Sequence, residues 1–434
     1  MEKIVSLCKR RGFIFQGSEI YGGLNGTWDY GPMGTELKRN IKNLWWRDVV
    51  YFREDVVGID ASIMMNPKVW EASGHLEAFT DPLVECRIDH ERIRADHSQE
   101  IENHEKKHHP GKSDWTTPQK FNLLVKAYLG VIEGKQQEIF LRGEITQGVH
   151  VNFANIVDSS RVKIPFGVAQ VGKAFRNEIT PGNFTFRSRE FEQMEVQYYV
   201  KPEEKEGMKC FEYWKDFWMK WYTDLGINKD NLRFKDHKPE ERAHYAKAAT
   251  DIEYKAPWGW AEFMGVHHRA DWDLKRHTEY SGENLAYKDQ ITGEEYFPWD
   301  IESSMGVDRS LLFFLIDAYQ EEEKRVVLKL NPKLSPVKVA VFPLLANKLE
   351  LVNMARNVFE QLKRSINGLV VLDSRGNIGK RYLSQDEIGT PYCLTVDFQS
   401  LDDKSVTVRD RDTTKQERIK IDDLKHFFSE RLDK

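Results

Sequence analysis

The sequence predicts a mixed α/β (α+β) fold, in which an antiparallel sheet flanked by helices is followed by a smaller α/β domain. The 434 residues are 40% hydrophobic and 31% charged, which is typical of a globular protein, and this length accommodates about two to four domains. Two strand-like runs within residues 168–199 are separated by Pro181-Gly182-Asn183, which indicates a turn. From Pro336 onward strand and helix patterns alternate, which favours helices packed on a largely parallel sheet.

The returning strand of this hairpin predicts a binding surface. Its residues Phe191, Gln193, Glu195 and Gln197 share one face, because strand side chains alternate with a period of two. A polar face with one aromatic ring suits a ligand better than a core. The hairpin also carries a cluster of charged residues, namely Arg176, Glu178, Arg187, Arg189, Glu190, Glu192 and Glu195. A solvated sheet edge with paired charges explains that cluster equally well, so the hairpin alone leaves both interpretations open.

Periodicity and turn residues predict the remaining elements. Helices are predicted at 2–11, 36–52, 201–225, 241–250, 311–319, 345–365 and 380–387, and strands at 56–65, 258–266, 337–342, 370–373 and 392–397. Residues 297–311 are predicted to form a strand that runs into a helix. Trp214, Phe217, Trp218 and Trp221 recur at helical spacing and are predicted to lie in the core.

Cysteine usage and hydropathy indicate the cellular context. The four cysteines, Cys8, Cys86, Cys210 and Cys393, are widely scattered, which argues against a disulfide framework and for a reducing compartment. No run of about 18 apolar residues occurs, so we expect no membrane span. The short, charged N-terminal stretch does not resemble a secretory signal. We therefore expect a cytoplasmic protein without a membrane partner.

One hydrophilic segment contains candidate metal ligands. His104, His108 and His109 are spaced for a metal, but they lie in the charged range 97–113, for which a solvated insertion loop is the favoured interpretation. The chain contains no CxxC pair. We therefore expect no structural zinc.

The charge distribution leaves nucleic-acid binding open. The net charge of −5 neither supports nor excludes it, because binding needs only local basicity. Candidates for phosphate contacts in the C-terminal region are Arg375, Lys380, Arg381, Arg409 and Arg411. For any one of them a solvated surface position is equally consistent with the sequence.

Several stretches resemble one family. Phe175-Arg176-Asn177-Glu178, followed by residues 189–195 (REFEQME), resembles the second signature motif of class II aminoacyl-tRNA synthetases, in the form found in the dimeric glycyl-tRNA synthetases. Residues 69–82 resemble the VWxxSGHxxxFxDP string of that family, residues 297–311 its third class II motif, and residues 378–393 the anticodon-binding domain of class IIa enzymes.

The chain departs from the family strings at a few positions. Gly143 and Ser303 stand where proline is usual, and Ile145-Thr146 stands where Thr-Ala is usual. Asp89 follows Cys86 in a place where family members often have a cysteine pair, so no metal role is expected there.

The resemblance implies a domain organisation. Residues 1–320 would form the class II catalytic core, with an insertion near 97–135 and a helical segment near 201–250, residues 321–335 a linker, and residues 336–434 an α/β anticodon-binding domain. The helix and strand within residues 36–67 resemble the first class II motif, which forms the dimer interface in that family. A homodimer is therefore expected.

The resemblance also implies an activity. The enzyme would activate glycine with ATP and Mg²⁺ to glycyl-adenylate and then transfer glycyl to the 3′ end of tRNA-Gly, releasing AMP and diphosphate overall. Arg176 and Arg309 would be catalytic, because fixed guanidinium groups stabilise charge that builds on the phosphoryl oxygens. The implied ATP-binding residues are Arg176, Asn177, Glu178, Phe186, Arg187, Phe191, Glu262, Phe263, Gly306, Val307, Asp308 and Arg309. Glu262 would also be the nearest carboxylate for Mg²⁺.

Glycine itself offers few features for recognition. It has no side chain, so a pocket can hold only its ammonium and carboxylate groups and must exclude larger amino acids by shape. Glu144, Glu195 and Glu302, expected on three separate strands, match the family's three carboxylates around the ammonium group. The implied glycine-binding residues are Arg94, Glu144, Phe191, Glu192, Gln193, Glu195, Glu302, Ser304 and Gly306.

Two alternatives compete with this interpretation. A catalytically inactive, synthetase-shaped accessory subunit that binds nucleic acid would be expected to lose the paired arginines, and Arg176 and Arg309 are both present. A class IIa enzyme for another amino acid would need a side-chain selector, and none is recognisable. The sequence therefore favours the glycine enzyme, although it does not reveal which tRNA bases are read.

Overall fold

The computed structural model describes residues 1–112, 114–132, 134–242 and 246–432. Its helices are α1 (Glu2–Arg11), α2 (Pro32–Trp46), α3 (Pro67–Ala72), α4 (His75–Ala78), α5 (Ser98–His108), α6 (Thr146–His150), α7 (Phe153–Ser160), α8 (Glu204–Asp224), α9 (Trp272–Ser281), α10 (Val307–Ala318), α11 (Leu349–Ser365), α12 (Ile378–Ile388), α13 (Phe398–Asp403) and α14 (Leu424–Leu432). None of the helices in these ranges combines the length and the apolar character that a bilayer crossing requires.

The strands follow the same order along the chain. They are β1 (Ile14–Gln16), β2 (Trp28–Tyr30), β3 (Val56–Gly58), β4 (Thr80–Glu85), β5 (Arg92–Arg94), β6 (Gln119–Asn122), β7 (Val125–Leu129), β8 (Gln137–Leu141), β9 (Phe166–Phe175), β10 (Glu190–Val200), β11 (Leu232–Asp236), β12 (Ala248–Ala256), β13 (Gly259–Ala270), β14 (Tyr287–Lys288), β15 (Glu295–Tyr296), β16 (Trp299–Gly306), β17 (Tyr319–Glu322), β18 (Arg325–Leu328), β19 (Val337–Pro343), β20 (Leu369–Leu372), β21 (Tyr392–Val396), β22 (Ser405–Asp410) and β23 (Gln416–Lys420).

Seven strands form the central sheet, in the order β11-β12-β13-β16-β10-β9-β3. Neighbouring strands are antiparallel except for β3 and β9, which run parallel. The predicted hairpin is β9 and β10, in which Phe175 pairs with Glu190 near the turn and Phe166 pairs with Tyr199 at the far end. The predicted antiparallel sheet flanked by helices is therefore confirmed.

Aromatic side chains fill the core on one face of this sheet. Helices α8 and α10 pack on that face, and α2 packs on α10. The ring of Trp218 stacks on Trp45 at 6.3 Å and on Trp214 at 5.7 Å, and all three side chains are fully buried. The predicted core positions of Trp214, Trp218 and Trp221 are confirmed, while Phe217 is half-buried at the edge of the cluster. The opposite face carries a smaller apolar cluster that includes Phe166, Val168 and Tyr199, and it is polar farther along β10.

A predicted helix and a predicted strand differ from the structure. The helix predicted at 241–250 is wrong over its described residues: Glu241 ends a short 3₁₀ turn and Ala248 to Thr250 belong to β12. Residues 243–245 lie outside the described ranges. Pairing of β12 between β11 and β13 overrides the local helix propensity of this segment. The strand predicted at 56–65 is confirmed only over Val56–Gly58.

Two segments predicted as irregular are ordered. The predicted insertion loop at 97–113 contains helix α5. Ile101 of this helix is half-buried and His104 is buried. The predicted link at 321–335 contains the second strand of the β17–β18 hairpin, in which Tyr319 pairs with Leu328. Val327 and Leu328 are fully buried, which explains why this charged segment is ordered.

The C-terminal region forms a five-stranded sheet in the order β20-β19-β21-β22-β23. Strands β20, β19 and β21 are parallel, as the strand-helix alternation predicts, and β22 and β23 extend the sheet with antiparallel pairs. Helix α11 packs on β19 and β20 and buries Leu351, Ala355 and Val358 at helical spacing.

Three of the basic residues considered for phosphate contacts are structural. Arg381, Arg409 and Arg411 are buried; Arg409 forms a two-pronged salt bridge with Asp386, and the other two donate to backbone carbonyl groups. These guanidinium groups can be buried because they donate hydrogen bonds to acceptors inside the domain. Arg375 and Lys380 are exposed and stay available to a phosphate.

Candidate active site

The polar face of the central sheet forms the floor of a cleft of about 520 Å³. Antiparallel pairing aligns one position on each of three adjacent strands: Glu195 of β10 lies opposite Ser304 of β16, which lies opposite Gly265 of β13. Alternate residues along these strands, such as Phe191 and Gln193, reach the same cleft. The β9–β10 loop, the α3–α4 turn and the segment before α6 contribute further lining residues.

Glu195 and Glu302 form a buried carboxylate pair joined by one hydroxyl group. Thr146 Oγ1 lies 2.7 Å from Glu195 Oε2 and 2.8 Å from Glu302 Oε1. The other oxygen of Glu195 accepts hydrogen bonds from Ser304 Oγ at 2.6 Å and from Gln193 Nε2 at 2.9 Å. A hydroxyl group carries one proton and cannot donate to two carboxylates at once. The Gln197 amide is a longer additional donor, with its Nε2 at 3.3 and 3.4 Å from the same two oxygens. The short contacts to the hydroxyl are satisfied when one of the two carboxyl groups is protonated.

Cationic and imidazole groups hold Glu302 on its other side. His267 Nδ1 lies 2.9 Å from Glu302 Oε2, and Arg269 Nη1 donates to the same oxygen at 3.2 Å. Arg269 is itself fixed by a two-pronged bond to Asp273, at 2.8 and 2.9 Å. Although burial opposes ionisation, Arg269 and His267 lower the pKa of Glu302. Glu302 is thus the ionised member of the pair.

Glu195 is the protonated member. Burial raises its pKa to about 8; the charges of Glu302 and Glu144 add to the rise, while hydrogen bonds from Ser304 and Thr146 oppose it. The carboxyl group therefore holds its proton near neutral pH in the absence of a ligand cation.

The third carboxylate lies in the wall of the cleft. Glu144 is in the segment between β8 and α6, so its predicted position on a strand is wrong, although it does line the cleft. Gln147 Nε2 donates to its Oε1 at 3.0 Å, and His75 Nε2 lies 3.3 Å from its Oε2. Burial opposes ionisation, but His75 and Arg269 outweigh it and lower the pKa of Glu144 to about 2. The cleft thus contains an ionised carboxylate on each side of the protonated Glu195.

Arg309 extends into the cleft from the first turn of α10. Its Nη1 donates to the backbone oxygen of Glu262 at 3.0 Å and to Glu262 Oε1 at 2.8 Å, and its guanidinium carbon lies 4.4 Å from the ring centre of Phe186. The charge of Arg309 lowers the pKa of Glu262, whose carboxylate is half-exposed and ionised. An ionised oxygen donor of this kind fits a hard cation such as Mg²⁺.

Arg176 lies at the end of β9. Its Nε donates to the backbone oxygen of Gly143 at 3.0 Å, and its guanidinium carbon lies 5.1 and 5.2 Å from the rings of Phe79 and Phe191. No carboxylate lies at ion-pair distance from it in the part of the chain that the structure describes. Its terminal amino groups are therefore available to an anionic ligand.

Glu178 provides a buried acceptor in the same cleft. Its Oε2 has no hydrogen-bond partner among the described residues, and Arg187 Nε lies 3.8 Å away. Burial raises its pKa. An unsatisfied buried acceptor costs about 1–3 kcal/mol, so a ligand that donates a hydrogen bond here would be favoured.

Most of the predicted site residues converge on this cleft. The predicted residues that line it are Glu144, Arg176, Glu178, Phe186, Arg187, Phe191, Gln193, Glu195, Glu262, Glu302, Ser304, Gly306, Asp308 and Arg309. Asp308 also has a second task, because its carboxylate accepts hydrogen bonds from Tyr30, Lys38 and the backbone of Glu192.

Three predicted site residues belong to the structural framework instead. Phe263 and Val307 are fully buried in the core. The register shift between β12 and β13 turns Phe263 toward α8, where its ring stacks on Tyr222 at 3.9 Å. Glu192 lies outside the cleft lining and pairs with Lys42 at 2.8 Å. These side chains position the strands that form the floor.

Two others lie close to the cleft without lining it. Arg94 pairs with Asp81 at 2.5 Å and with Asp96 at 2.7 Å, in the small sheet of β4, β5 and β6. Asn177 donates its backbone N–H to Leu123 O at 2.7 Å. Their placement supports the walls of the cleft.

Sequence reasoning missed four residues of the site: His75, Thr146, His267 and Arg269. A period of two along β13 would have found the last two, because Gly265, His267 and Arg269 alternate on the cleft side. Thr146 stood out in the sequence only as a departure from the family string, without a role. Its position between two carboxylates depends on three separated segments.

Comparisons with known proteins define the class of this fold. Residues 338–431 match the family model described as an anticodon binding domain. The crystal structure of prolyl-tRNA synthetase from Cryptosporidium parvum, complexed with L-proline and AMP, is similar with a TM-score of 0.67 and 15% identity, over 99% of this chain and 77% of that chain. At that identity the likeness concerns the fold, which is that of a class II aminoacyl-tRNA synthetase.

Curated relatives show the family. Proteins named glycine--tRNA ligase from Clostridium acetobutylicum, Alkaliphilus oremlandii and Geobacillus kaustophilus are 49%, 50% and 50% identical over the whole of this chain, and the matches cover 98%, 98% and 99% of their lengths. The chain belongs to the glycine--tRNA ligase family of aminoacyl-tRNA synthetases.

Proposed function

We propose that this chain activates glycine with ATP to form glycyl-adenylate and transfers the glycyl group to the 3′ end of tRNA-Gly, releasing AMP and diphosphate. The observation that carries the proposal is the convergence of three carboxylates (Glu144, Glu195 and Glu302) and two arginines (Arg176 and Arg309) on one cleft. The carboxylates suit an ammonium group and the guanidinium groups suit phosphates.

The first half-reaction joins two anions. The carboxylate oxygen of glycine attacks the α-phosphorus of ATP, the bond from that phosphorus to the bridging oxygen breaks, and diphosphate leaves. Arg176 and Arg309 come from separate elements, and their fixed charges would stabilise the developing negative charge without reorganisation. Mg²⁺ enters with ATP as part of the substrate, and Glu262 is the carboxylate best placed to help hold it.

The adenine end of the nucleotide would lie against the β9–β10 hairpin. Phe191 offers a ring for stacking, and the unsatisfied Oε2 of Glu178 would accept a hydrogen bond from the amino group of adenine. Phe186, which already lies against Arg309, would contact the nucleotide on its other side.

Glycine selectivity would result from charge and from lack of space. The ammonium group would displace the proton of Glu195 and lie between Glu144, Glu195 and Glu302, with Ser304 as a further hydrogen-bond partner. One methyl group adds only about 1–3 kcal/mol of attraction in a pocket, so exclusion of alanine must come from a steric wall. Gln193, Glu195 and Ser304 bond to one another and form such a wall.

The second half-reaction transfers glycyl to a ribose hydroxyl group of the tRNA. No side chain of the described cleft stands out as its general base, and a phosphate oxygen of the adenylate can serve. The anticodon-binding region at 338–431 would hold the other end of the tRNA, with Arg375 and Lys380 as exposed cations.

We also propose a cytoplasmic homodimer. Tyr51 and Phe52 are each 73% exposed and Met64 is 55% exposed, close in sequence to β3 at the edge of the central sheet. Exposed apolar side chains near a strand at the edge of a sheet suit an interface. The four cysteines are free thiols, in keeping with a reducing compartment. Light scattering of the purified chain would give the oligomeric state.

ATP–diphosphate exchange with glycine, alanine, serine and proline tests the proposed function. Exchange with glycine alone supports it, and exchange with another amino acid replaces it with a different class II synthetase. Absence of exchange with all four would favour an inactive accessory protein. Charging of purified tRNA-Gly then tests the second step separately.

A further inference from the structure

Four side chains with metal-ligating atoms converge outside the cleft, in the small unit formed by β4, β5, α5 and β6. Cys86, Asp89, His104 and His109 each present one ligand atom, and these atoms all lie within 4.8 Å of one another. We propose that this cluster binds one structural Zn²⁺ ion. The proposal replaces the expectation of no structural zinc, which rested on sequence spacing alone.

The turn between β4 and β5 presents the first two ligands. Cys86 N donates to Glu91 O at 2.8 Å, and His90 N donates back to Cys86 O at 2.9 Å. His90 has a φ of 63°, in the left-handed region that few residues other than glycine adopt. Cys86 and Asp89 are three residues apart on this tight turn, which is the spacing of a C-x₂-C zinc turn with a carboxylate as the second ligand.

Helix α5 supplies the second pair. His104 lies in its last turns and His109 directly follows its end, an H-x₄-H spacing within the range found in zinc sites. His109 Nε2 and His104 Nε2 lie 2.9 and 3.2 Å from the same oxygen of Asp89. The Nε2 atom of His104 is buried and has no well-aligned hydrogen-bond partner among the described residues. A metal ion would satisfy this nitrogen.

The donor set matches the chemistry of zinc. Bonds of about 2.0–2.3 Å in a tetrahedral site separate ligand atoms by roughly 3.3–3.8 Å, so atoms that already lie within 4.8 Å need only small side-chain movements. One thiolate, one carboxylate and two neutral imidazoles balance the double charge of the ion. Mixed sulfur and nitrogen donors favour zinc over calcium or magnesium.

A catalytic zinc motif is the alternative use of the same helix. Residues 104–108 read HEKKH, an H-E-x-x-H pattern in which two histidines bind zinc and the glutamate acts as a base. Here His108 is exposed and lies outside the ligand cluster, and Glu105 accepts a hydrogen bond from Trp115 Nε1 at 2.8 Å. With four protein ligands the site has no open position for substrate, which favours a structural role.

The unit has few other sources of stability. Within the described residues of the range 80–122, the buried apolar side chains are Val84, Cys86 and Ile93. Small units that bury so little commonly depend on a metal or a disulfide. Since the same unit carries Arg94 and Asp81 beside the cleft, the ion would also stabilise the cleft wall.

Metal analysis of the full chain, purified without chelators and dialysed against metal-free buffer, tests the proposal. We expect one zinc per chain by mass spectrometry, without substrates present. After replacement with Co²⁺, we expect an absorption band from thiolate-to-cobalt charge transfer. Cys86→Ser should abolish the band, and His109→Ala should lower the metal content to near zero. Cys210→Ser and His108→Ala are matched controls that should retain the metal, because neither residue belongs to the cluster.

The proposal fails if the wild-type chain retains no zinc and binds neither Zn²⁺ nor Co²⁺ in titration. It also fails if the cobalt spectrum of Cys86→Ser equals that of the wild type. The wild-type measurements need no variant to fold, and none of them depends on ligase activity. Limited proteolysis after zinc removal should show faster cleavage within residues 86–112 and unchanged cleavage in the C-terminal region.

Discussion

Glu195 and Glu302 share the hydroxyl group of Thr146, which lies 2.7 Å from one carboxylate and 2.8 Å from the other. The hydroxyl group can donate its proton to only one of the two carboxylates, and the other contact is satisfied because Glu195 holds a proton. This arrangement suits a cation: under the proposed function, an arriving ammonium group would replace the proton that Glu195 holds.

Replacing Thr146 by alanine should raise the KM for glycine about threefold to tenfold at pH 7, since a net hydrogen bond contributes about 0.5–1.5 kcal/mol. The hydroxyl favours the ionised form of Glu195, so its loss raises the pKa of that group further. The defect should therefore shrink as the pH rises. Initial rates of exchange between pH 6.5 and 9 would check this, with Thr146→Ser as the control that keeps the hydroxyl. A defect that does not vary with pH would contradict the explanation.

Glycine binding should release close to one proton at pH 7. Burial raises the pKa of Glu195 to about 8 in the free protein, and a neighbouring ammonium group lowers it. Glycine affinity should then increase from pH 6 to about 8 and level off above that, since the proton no longer has to be displaced. Calorimetry in two buffers of different ionisation enthalpy measures the proton count. A count of zero would mean that Glu195 is already ionised or lies away from the ammonium group.

The same group should influence stability in the absence of glycine. Its folded pKa lies above the ordinary value of 4.5, so between about pH 4.5 and 8 the folded chain holds a proton that the unfolded chain has lost. The contribution of Glu195 to the free energy of unfolding therefore declines as pH rises through this window.

The Glu195→Gln substitution should raise the KM for glycine about 10- to 100-fold while the KM for ATP changes little. Glutamine resembles the neutral carboxyl group of the free protein, so folding is retained, but it cannot supply the negative charge that an ammonium group requires, a loss of about 1.5–3 kcal/mol. Exchange kinetics with each substrate varied in turn would measure both constants. Glu190→Gln, at an exposed position on the same strand, is the control. Equal changes in the two constants would place Glu195 outside the amino-acid pocket.

The Arg309→Ala substitution should lower the rate of adenylate formation about 10²–10³-fold, the usual effect of removing one preorganised donor to a developing negative charge. The fold should be retained, because the side chain contacts mainly Glu262 and Phe186 at the cleft. Circular dichroism would check folding and ATP–diphosphate exchange the rate. Arg375→Ala serves as the control, since its side chain is 93% exposed in the other region of the chain. Near-normal exchange would rule out the proposed role.

Part of the site could be predicted from the local sequence pattern. Alternation along β10 predicted that Phe191, Gln193, Glu195 and Gln197 share a face. The first three line one cleft, whereas Gln197 is fully buried and does not line it. Helical spacing likewise predicted the tryptophans that α8 buries. Both patterns depend on residues only a few positions apart, so the chain geometry of a single element is enough to interpret them.

Other features had no local signal. Residues 241–250 have helical propensity, yet their end pairs into the sheet because neighbouring strands offer backbone partners on both sides. His267 and Arg269 acquire their roles only from Glu302 on the next strand. The histidines near α5 lie in a charged segment, which by itself favours a solvated loop. The residues that they approach, Cys86 and Asp89, lie fifteen or more positions earlier in the chain, so no local pattern connects them.

The sequence by itself determined the longer helices, the central hairpin with its polar face and the family that these stretches resemble, because each depends on local periodicity or on short strings. Only the tertiary structure decided which carboxyl group holds a proton and which four side chains with metal-ligating atoms converge. Both depend on distances of a few ångströms between segments far apart in the chain, in an interior where burial strengthens each charge on its neighbours.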